Sequence, residues 1–318
     1  MRNTLYTIAI LLGVTLHVQA QQVSLNSQYL FNEYILNPGA VGSKDYTPVQ
    51  LNFRKQWTNF PGAPTTQFLT AHGRVADKMG IGANIYNDLA GPSRRTGITF
   101  SGAYHLQLDK AYNHKLGFGL GLSFTQHFID VTKLDTYIDN DPTVLKGFNN
   151  QFVPDANAGI FYHYKNKGFA GVSAYNLVQV SRDLFNFDSS INSPLVRHYY
   201  FIGGYHFEIT KNFGIKPTVM AQAIEAGVFQ FDGTLLFTFN KYFWIGGSYR
   251  HNADVVGLIG GQVGPLKFGY SYDYTLSDIA RYSNGSHEVF LELQIRTKKT
   301  EDSSIPWLKR NRIYNTGN

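Results

Sequence analysis

The sequence predicts an all-β fold, a transmembrane antiparallel up-and-down β-barrel of about 14 strands. Apolar and polar residues alternate with period two from residue 49 to residue 296. Aromatic residues make up 15% of the chain and charged residues only 16%, and there are 31 glycines. The mean hydropathy is nevertheless -0.22, because only every second residue of such a strand would face lipid.

Residues 1–20 have the pattern of a secretory signal peptide. Arg2 supplies the positive start, residues 5–16 are apolar, and a small residue, Ala20, precedes the expected cut before Gln21. An apolar run of about 12 residues is too short for a membrane-spanning helix, which takes about 20. Since the chain contains no Cys, a disulfide, a thiolate metal site and a lipid anchor on cysteine are excluded.

Residues 21–46 precede the first predicted strand and are compact and aromatic. We expect them to fold into the lumen as a plug or to lie beneath the barrel as a periplasmic segment. The barrel itself is predicted over residues 47–296. Residues 297–318 would form a basic tail in the periplasm, with a net charge of about +3 from five Lys and Arg less two acidic residues.

Each predicted strand has one apolar and one polar face. In the first strand Leu51 and Phe53 alternate with Asn52 and Arg54, and lipid outside with a wet lumen inside accounts for both faces. A soluble sandwich or propeller is the alternative, but its outer faces would carry more Lys and Glu. The predicted strands span 47–57, 65–75, 79–87, 94–108, 115–128, 154–164, 168–178, 197–209, 213–223, 228–240, 242–251, 254–263, 265–275 and 286–296.

The predicted links between strands alternate in length, which supports the strand count. Aromatic residues near strand ends, Trp244 among them, are expected to face lipid in the headgroup zone, and the β-propensity of aromatic residues also contributes to their frequency there. With the N-terminus in the periplasm, the short periplasmic turns lie at 76–78, 166–167, 210–212, 241 and 264, and the longer external loops at 58–64, 88–93, 129–153, 179–196 and 276–285. The links near 224–227 and 252–253 fit this alternation less well.

Residues with catalytic potential are few. His105, His206 and Glu208 fall on predicted lumen faces. Ser101 and Ser248 are conceivable nucleophiles beside a histidine, but a barrel of this size offers such pairs by chance. The HExxH, Walker and GxSxG motifs do not occur. The sequence therefore predicts no enzyme activity, no catalytic residue and no cofactor.

Two further patterns favour structure over chemistry. Gly117, Gly119 and Gly121 repeat every two residues, which suits a crowded barrel wall rather than a phosphate-binding loop. The longest predicted loop contains four aspartates, Asp130, Asp135, Asp139 and Asp141. They could bind calcium, but the EF-hand spacing is missing, so an acidic solvated loop is favoured over a metal site. A basic tail in the periplasm meets no nucleic acid, so a protein surface or a peptidoglycan-associated assembly is the expected partner, unless the tail is disordered.

Seven groups of strings follow one another along the mature chain. They are 28–32 (QYLFN) with 36–42 (LNPGAVG), 53–57 (FRKQW) with 61–66 (PGAPTT), 87–88 (ND) with 91–92 (GP) and 95–97 (RTG), 103–106 (AYHL), 248–250 (SYR), 269–274 (GYSYDY), and 282–288 (YSNGSHE). In this order they resemble the PorP/SprF family of the type IX secretion and gliding machinery of Bacteroidota. The chain departs from the family pattern in two places. It has Asn37-Pro38-Gly39 where the family has Asn-Pro-Ala, and its tail continues past Arg296.

The resemblance implies an integral component of the outer membrane whose partners are proteins. It implies binding of secreted surface proteins through their C-terminal domains, or attachment of the outer membrane to a periplasmic ring of the secretion motor. The alternative is a transporter of hydrophobic small molecules, because fatty-acid channels also have fourteen strands, an N-terminal plug and an Asn-Pro-Ala element. A ligand pocket between plug and wall would favour transport, and a tightly filled lumen would favour a scaffold.

Overall fold

The computed structural model describes residues 26–111, 113–130, 133, 150–165, 167–182, 193–225 and 227–296. The expected signal peptide with its cut between Ala20 and Gln21 lies outside the described residues. So do Asp135, Asp139 and Asp141 of the acidic loop and the tail 297–318. Within the described part of the chain, no helix is long and apolar enough to cross a membrane.

Fourteen antiparallel strands in the described residues form one closed sheet, in which each strand pairs with its neighbours in the sequence and the first pairs with the last. The strands are β1 (Tyr46–Lys55), β2 (Thr65–Ala76), β3 (Met79–Ala90), β4 (Ser93–Gln107), β5 (His114–Ile129), β6 (Asn150–Tyr164), β7 (Gly168–Tyr175), β8 (His198–Tyr205, continued by Phe207–Glu208), β9 (Phe213–Ile224), β10 (Phe229–Phe239), β11 (Phe243–Arg250), β12 (Asp254–Val263), β13 (Leu266–Thr275) and β14 (Ser286–Arg296). The predicted up-and-down barrel of about 14 strands is therefore confirmed.

The period-two pattern places apolar side chains outside and polar or small ones inside. On β1, Asn52 and Arg54 are buried in the lumen whereas Leu51 and Phe53 are exposed on the outer surface. On β5, Leu120 points outward and is 70% exposed. Because the sheet closes on itself, the backbone groups of the wall are paired without a free edge, as a bilayer requires.

The links define two ends of the barrel. The loop end carries the links 56–64, 91–92, 130–149, 176–197, 225–228, 251–253 and 276–285. The turn end carries 77–78, 108–113, 165–167, 209–212, 240–242 and 264–265, together with the start of β1 and the end of β14.

One predicted loop, at 88–93, was wrong in its length. The link expected at 88–93 consists only of Gly91 and Pro92, and Gly91 adopts a φ of +57°, which glycine reaches without a steric penalty. The polar residues around it indicated a loop, but they belong to β3 and β4. Asp88 forms an ion pair there with Arg95 across the two strands.

Residues 26–45, here called the luminal segment, lie inside the barrel. They form three short 3-10 turns, Tyr29–Phe31, Glu33–Ile35 and Pro38–Ala40. The main hydrophobic core is the contact between these turns and the inner wall. It includes Tyr29, Leu30, Phe31 and Leu36 from the luminal segment and Trp244 and Phe290 from the wall.

Candidate functional site

The luminal segment contacts the wall on several sides of the barrel. Tyr29 donates a hydrogen bond to Asp232 of β10 (2.9 Å), and Tyr34 donates one to Ser101 of β4 (3.1 Å). The segment starts among residues near the loop end and leads into β1 at the turn end. It therefore traverses the lumen along the barrel axis.

A buried cluster of charges, here called the anchor cluster, holds the start of this segment. It consists of Arg54, Arg250, Asp232, Asp254, Asp273 and Glu288. Arg54 lies 2.7 Å from Asp273 and 3.2 Å from Glu288. Arg250 lies 3.2 Å from Asp232, 3.0 Å from Asp254 and 3.4 Å from Asp273. Buried charges need such pairing because their desolvation is costly.

Ser27 of the luminal segment is inserted into the anchor cluster. Its hydroxyl group donates to Asp273 (2.7 Å) and accepts from Arg54 (3.0 Å) and Arg250 (3.1 Å). Its backbone N–H donates to Glu288 (2.8 Å). The anchor cluster contains four acidic groups and two basic groups, so backbone N–H and hydroxyl donors from the segment supply part of the compensation that the acidic groups require.

Polar contacts fix the middle of the segment. The Asn37 amide donates to the carbonyl groups of Ile160 and Val172, both at 3.0 Å, and so bridges β6 and β7. Its side-chain oxygen accepts from the Gly39 N–H (2.8 Å) and caps the third 3-10 turn. Ser173 donates to the Leu36 carbonyl (2.5 Å) on the same side of the lumen.

Glycines of the wall make room for this part of the segment. A Cβ atom on Gly119 would lie 2.2 Å from the carbonyl carbon of Pro38, and one on Gly80 would lie 2.4 Å from the carbonyl oxygen of Val41. The alternating glycines of β5 therefore allow a second backbone to lie directly against the wall. The interpretation of these glycines as part of a crowded wall agrees with their placement.

An ion pair stabilises the segment near the turn end. Lys44 lies 3.2 Å from Glu33 and also donates to the Phe31 carbonyl (3.0 Å). Lys216 donates to the Leu30 carbonyl (3.2 Å). The first and second 3-10 turns are thus held by charge-assisted hydrogen bonds.

Trp244 does not face lipid, in contrast to the prediction. Its side chain is 5% exposed and packs inside the lumen, where its ring centroid lies 5.0 Å from that of Phe31 and 6.4 Å from that of Phe290. Lys267 lies 4.3 Å from the centre of the Phe31 ring. The aromatic composition of the strand predicted an outward ring, whereas the luminal segment supplies an apolar partner inside.

The candidate catalytic residues serve other contacts. His105 donates to the Val41 carbonyl (2.7 Å), and Ser101 accepts from Tyr34. Ser248 donates to Asp232 (2.5 Å). The remaining two candidates lie near the turn end, where His206 contacts Thr238 (3.1 Å) and Glu208 pairs with Lys167 (2.6 Å).

Within the described residues, no three His, Asp or Glu side chains are placed to hold a metal ion. Four buried acidic residues, Asp232, Asp254, Asp273 and Glu288, belong instead to the anchor cluster. The sequence pattern placed Arg54 on a polar strand face but did not indicate the cluster itself, because its members are far apart in the sequence. An Arg on an inward strand face was the available signal, since such a charge needs a buried partner.

A closed fourteen-stranded barrel with an apolar outer surface is the architecture of an integral outer-membrane protein. The family model described as type IX secretion system membrane protein PorP/SprF matches residues 18–293. The chain belongs to this family of secretion-system membrane proteins. No curated protein sequence matches the chain.

Similar solved structures share the barrel architecture. The Ralstonia pickettii toluene transporter TbuX has a TM-score of 0.49 at 10% identity, covering 86% of this chain and 94% of that one. The P. putida toluene transporter TodX has a TM-score of 0.47 at 9% identity, covering 84% and 95%. A Pseudomonas aeruginosa FadL homologue has a TM-score of 0.45 at 10% identity, covering 81% and 91%. Similarity at this level does not indicate what this chain binds.

Proposed function

We propose that this barrel is a protein-binding scaffold of the type IX secretion machinery. It would bind and anchor secreted surface proteins through their C-terminal domains, or link the outer membrane to the periplasmic secretion ring. The observation that carries this proposal is the occupied lumen. Moving the luminal segment would separate Ser27 from Arg54, Arg250 and two carboxylates, all of them buried. Such a rearrangement is costly in free energy, which favours partner binding at the ends of the barrel over transport of a molecule through the lumen.

The loop end offers a joined surface for a partner. The link 56–64 is bonded to 276–285 through Thr58, which donates to the Gly285 carbonyl (2.8 Å) and accepts from the Asn284 N–H (2.9 Å). The Gly91 N–H donates to the Gly62 carbonyl (2.9 Å). Three links are therefore tied together by backbone hydrogen bonds. Phe60 and Tyr282, which are 40% and 70% exposed, provide aromatic anchors of the kind that dominate protein interfaces.

The two ends differ in charge, which supports different partners for each. Six lysines and two aspartates lie in the turn-end links: Lys78, Lys110, Lys165, Lys167, Lys211 and Lys241 against Asp77 and Asp109. The loop-end links carry more acidic than basic residues. Such an asymmetry steers binding partners of opposite charge. We place the turn end in the periplasm, where an acidic surface of a ring component would be attracted.

Affinity purification tests the proposal. The tagged chain is recovered from detergent-solubilised outer membranes, in parallel with a variant carrying Phe60→Ser and Tyr282→Ser. We expect the unmodified chain to retain a secreted protein through its C-terminal domain or subunits of the secretion ring. The double variant should lose the secreted protein and keep the ring subunits. Recovery of neither partner, together with loss of uptake of a hydrophobic compound when the chain is deleted, would favour the transporter instead.

A further inference from the structure

A notch lies in the outer surface of the barrel near the turn end of β5 to β8. It has a cavity volume of about 420 Å³, and its lining includes His114, Tyr162, Tyr164, Gly168, Ala170 and Tyr205. These six residues have the same strand registers as Phe118, Ile160, Val172 and Phe201, all of which are exposed on the outer surface. The two other lining residues, Phe169 and Gly204, alternate with them along β7 and β8 and are on the inward register. The notch therefore opens toward the bilayer, and the barrel wall forms its floor.

Aromatic rings form the walls of the notch, and small residues form its floor. His114 Nδ1 lies 2.6 Å from the Tyr162 hydroxyl group, and the His114 and Tyr164 ring centroids are 4.7 Å apart. Tyr205 covers Gly168 so closely that a Cβ atom there would lie 2.7 Å from its ring. Between these walls the small side chain of Ala170 leaves an open slot.

Positive charge lies at the rim of the notch. Lys165 Nζ is 5.2 Å from the centre of the Tyr164 ring, and among the described residues no carboxylate lies within ion-pair distance of it. Lys167 is close by in the same turn and pairs with Glu208. Lys side chains at the end of a membrane-spanning strand reach the headgroup zone, where they attract anionic groups.

We propose that this notch binds a phospholipid of the bilayer leaflet at the turn end. One acyl chain lies in the slot over Ala170, between Tyr164 and Tyr205. The phosphate group lies at Lys165. An apolar slot joined to a cation at headgroup level matches the two chemical parts of a phospholipid, whereas a free phosphate would use only the cation. The bilayer that surrounds the barrel supplies the ligand at high local concentration.

Native mass spectrometry of the detergent-purified barrel, titrated with phosphatidylglycerol, tests this site. The Ala170→Trp variant fills the slot. We expect it to weaken binding of the first lipid by about tenfold or more, which corresponds to the loss of about two buried methylene groups. Val172→Trp is the matched control, since Val172 lies on the same face of the same strand outside the notch. It should bind lipid as the unmodified chain does.

The headgroup contact is tested separately. Lys165→Gln should weaken binding of phosphatidylglycerol by about fivefold and leave binding of a neutral diacylglycerol unchanged. A heat-dependent shift in gel mobility shows that each variant forms the barrel. Equal lipid binding by Ala170→Trp and the unmodified chain, or equal weakening by Val172→Trp, would overturn the acyl-chain site. An unaltered affinity in Lys165→Gln would overturn the phosphate contact.

Discussion

Replacing Arg250 by Met probes the anchoring of the luminal segment. Arg250 forms ion pairs with Asp232, Asp254 and Asp273 and donates to the Ser27 hydroxyl group. Met keeps much of the volume but leaves Asp232 and Asp254 without this guanidinium group. Removing one partner of a buried charge pair costs about 3–5 kcal/mol, so the unfolding free energy should fall by about that amount.

Urea unfolding in detergent, followed by tryptophan fluorescence, measures this change. Trp244 packs against Phe31 and so reports on the segment as well as on the wall. Arg281→Met is the matched control, because Arg281 is exposed in a loop-end link, and it should change stability by less than about 0.5 kcal/mol. Adding Asp232→Asn to Arg250→Met should recover part of the loss, since one orphaned carboxylate is removed. If Arg250→Met is as stable as the control, the anchor cluster does not hold the segment as described.

Three further predictions concern the luminal segment and export. Gly119→Leu should destabilise the barrel by about 1–3 kcal/mol in the same unfolding assay, because the new side chain would displace Pro38. Gly257→Leu is the control and should not destabilise the barrel, because a Cβ atom on Gly257 would have no other atom within 4 Å. Glu33→Gln should lower the free energy of unfolding by about 1–3 kcal/mol in the same assay, because it removes the ion pair between Glu33 and Lys44. Equal stability of Glu33→Gln and the unmodified chain would contradict this pairing. N-terminal sequencing of the mature protein should begin at Gln21, and an uncut N-terminus would refute the signal-peptide assignment.

The wall of the barrel was accessible from the sequence because its information is local. Alternation such as Leu51, Asn52, Phe53, Arg54 identifies a strand and assigns its faces without knowledge of any other strand. Every strand faces the bilayer on one side and the lumen on the other, so the same pattern recurs in all fourteen strands. The one misjudged loop, at Gly91 and Pro92, arose because polar residues that face a wet lumen resemble those of a loop.

The contents of the lumen were not accessible in the same way. Ser27 reaches Glu288 and Asp273 across more than 200 positions of sequence, and neither periodicity nor spacing specifies such a contact. Trp244 shares the inward face of β11 with Ser248 and Arg250, but its apolar partner Phe31 belongs to a separate segment. The glycines of β5 were recognisable as part of a crowded wall, but what crowds them became apparent only once the segment was located against Gly119.

Ion conductance across a planar bilayer tests the occupied lumen most directly. With the luminal segment in place, the purified barrel should show no steady open-channel current. A variant lacking residues 26–45, verified as a folded barrel by its gel mobility, should conduct. A steady current through the unmodified chain equal to that of the deletion variant would contradict the account, because the lumen would then be open with the segment present.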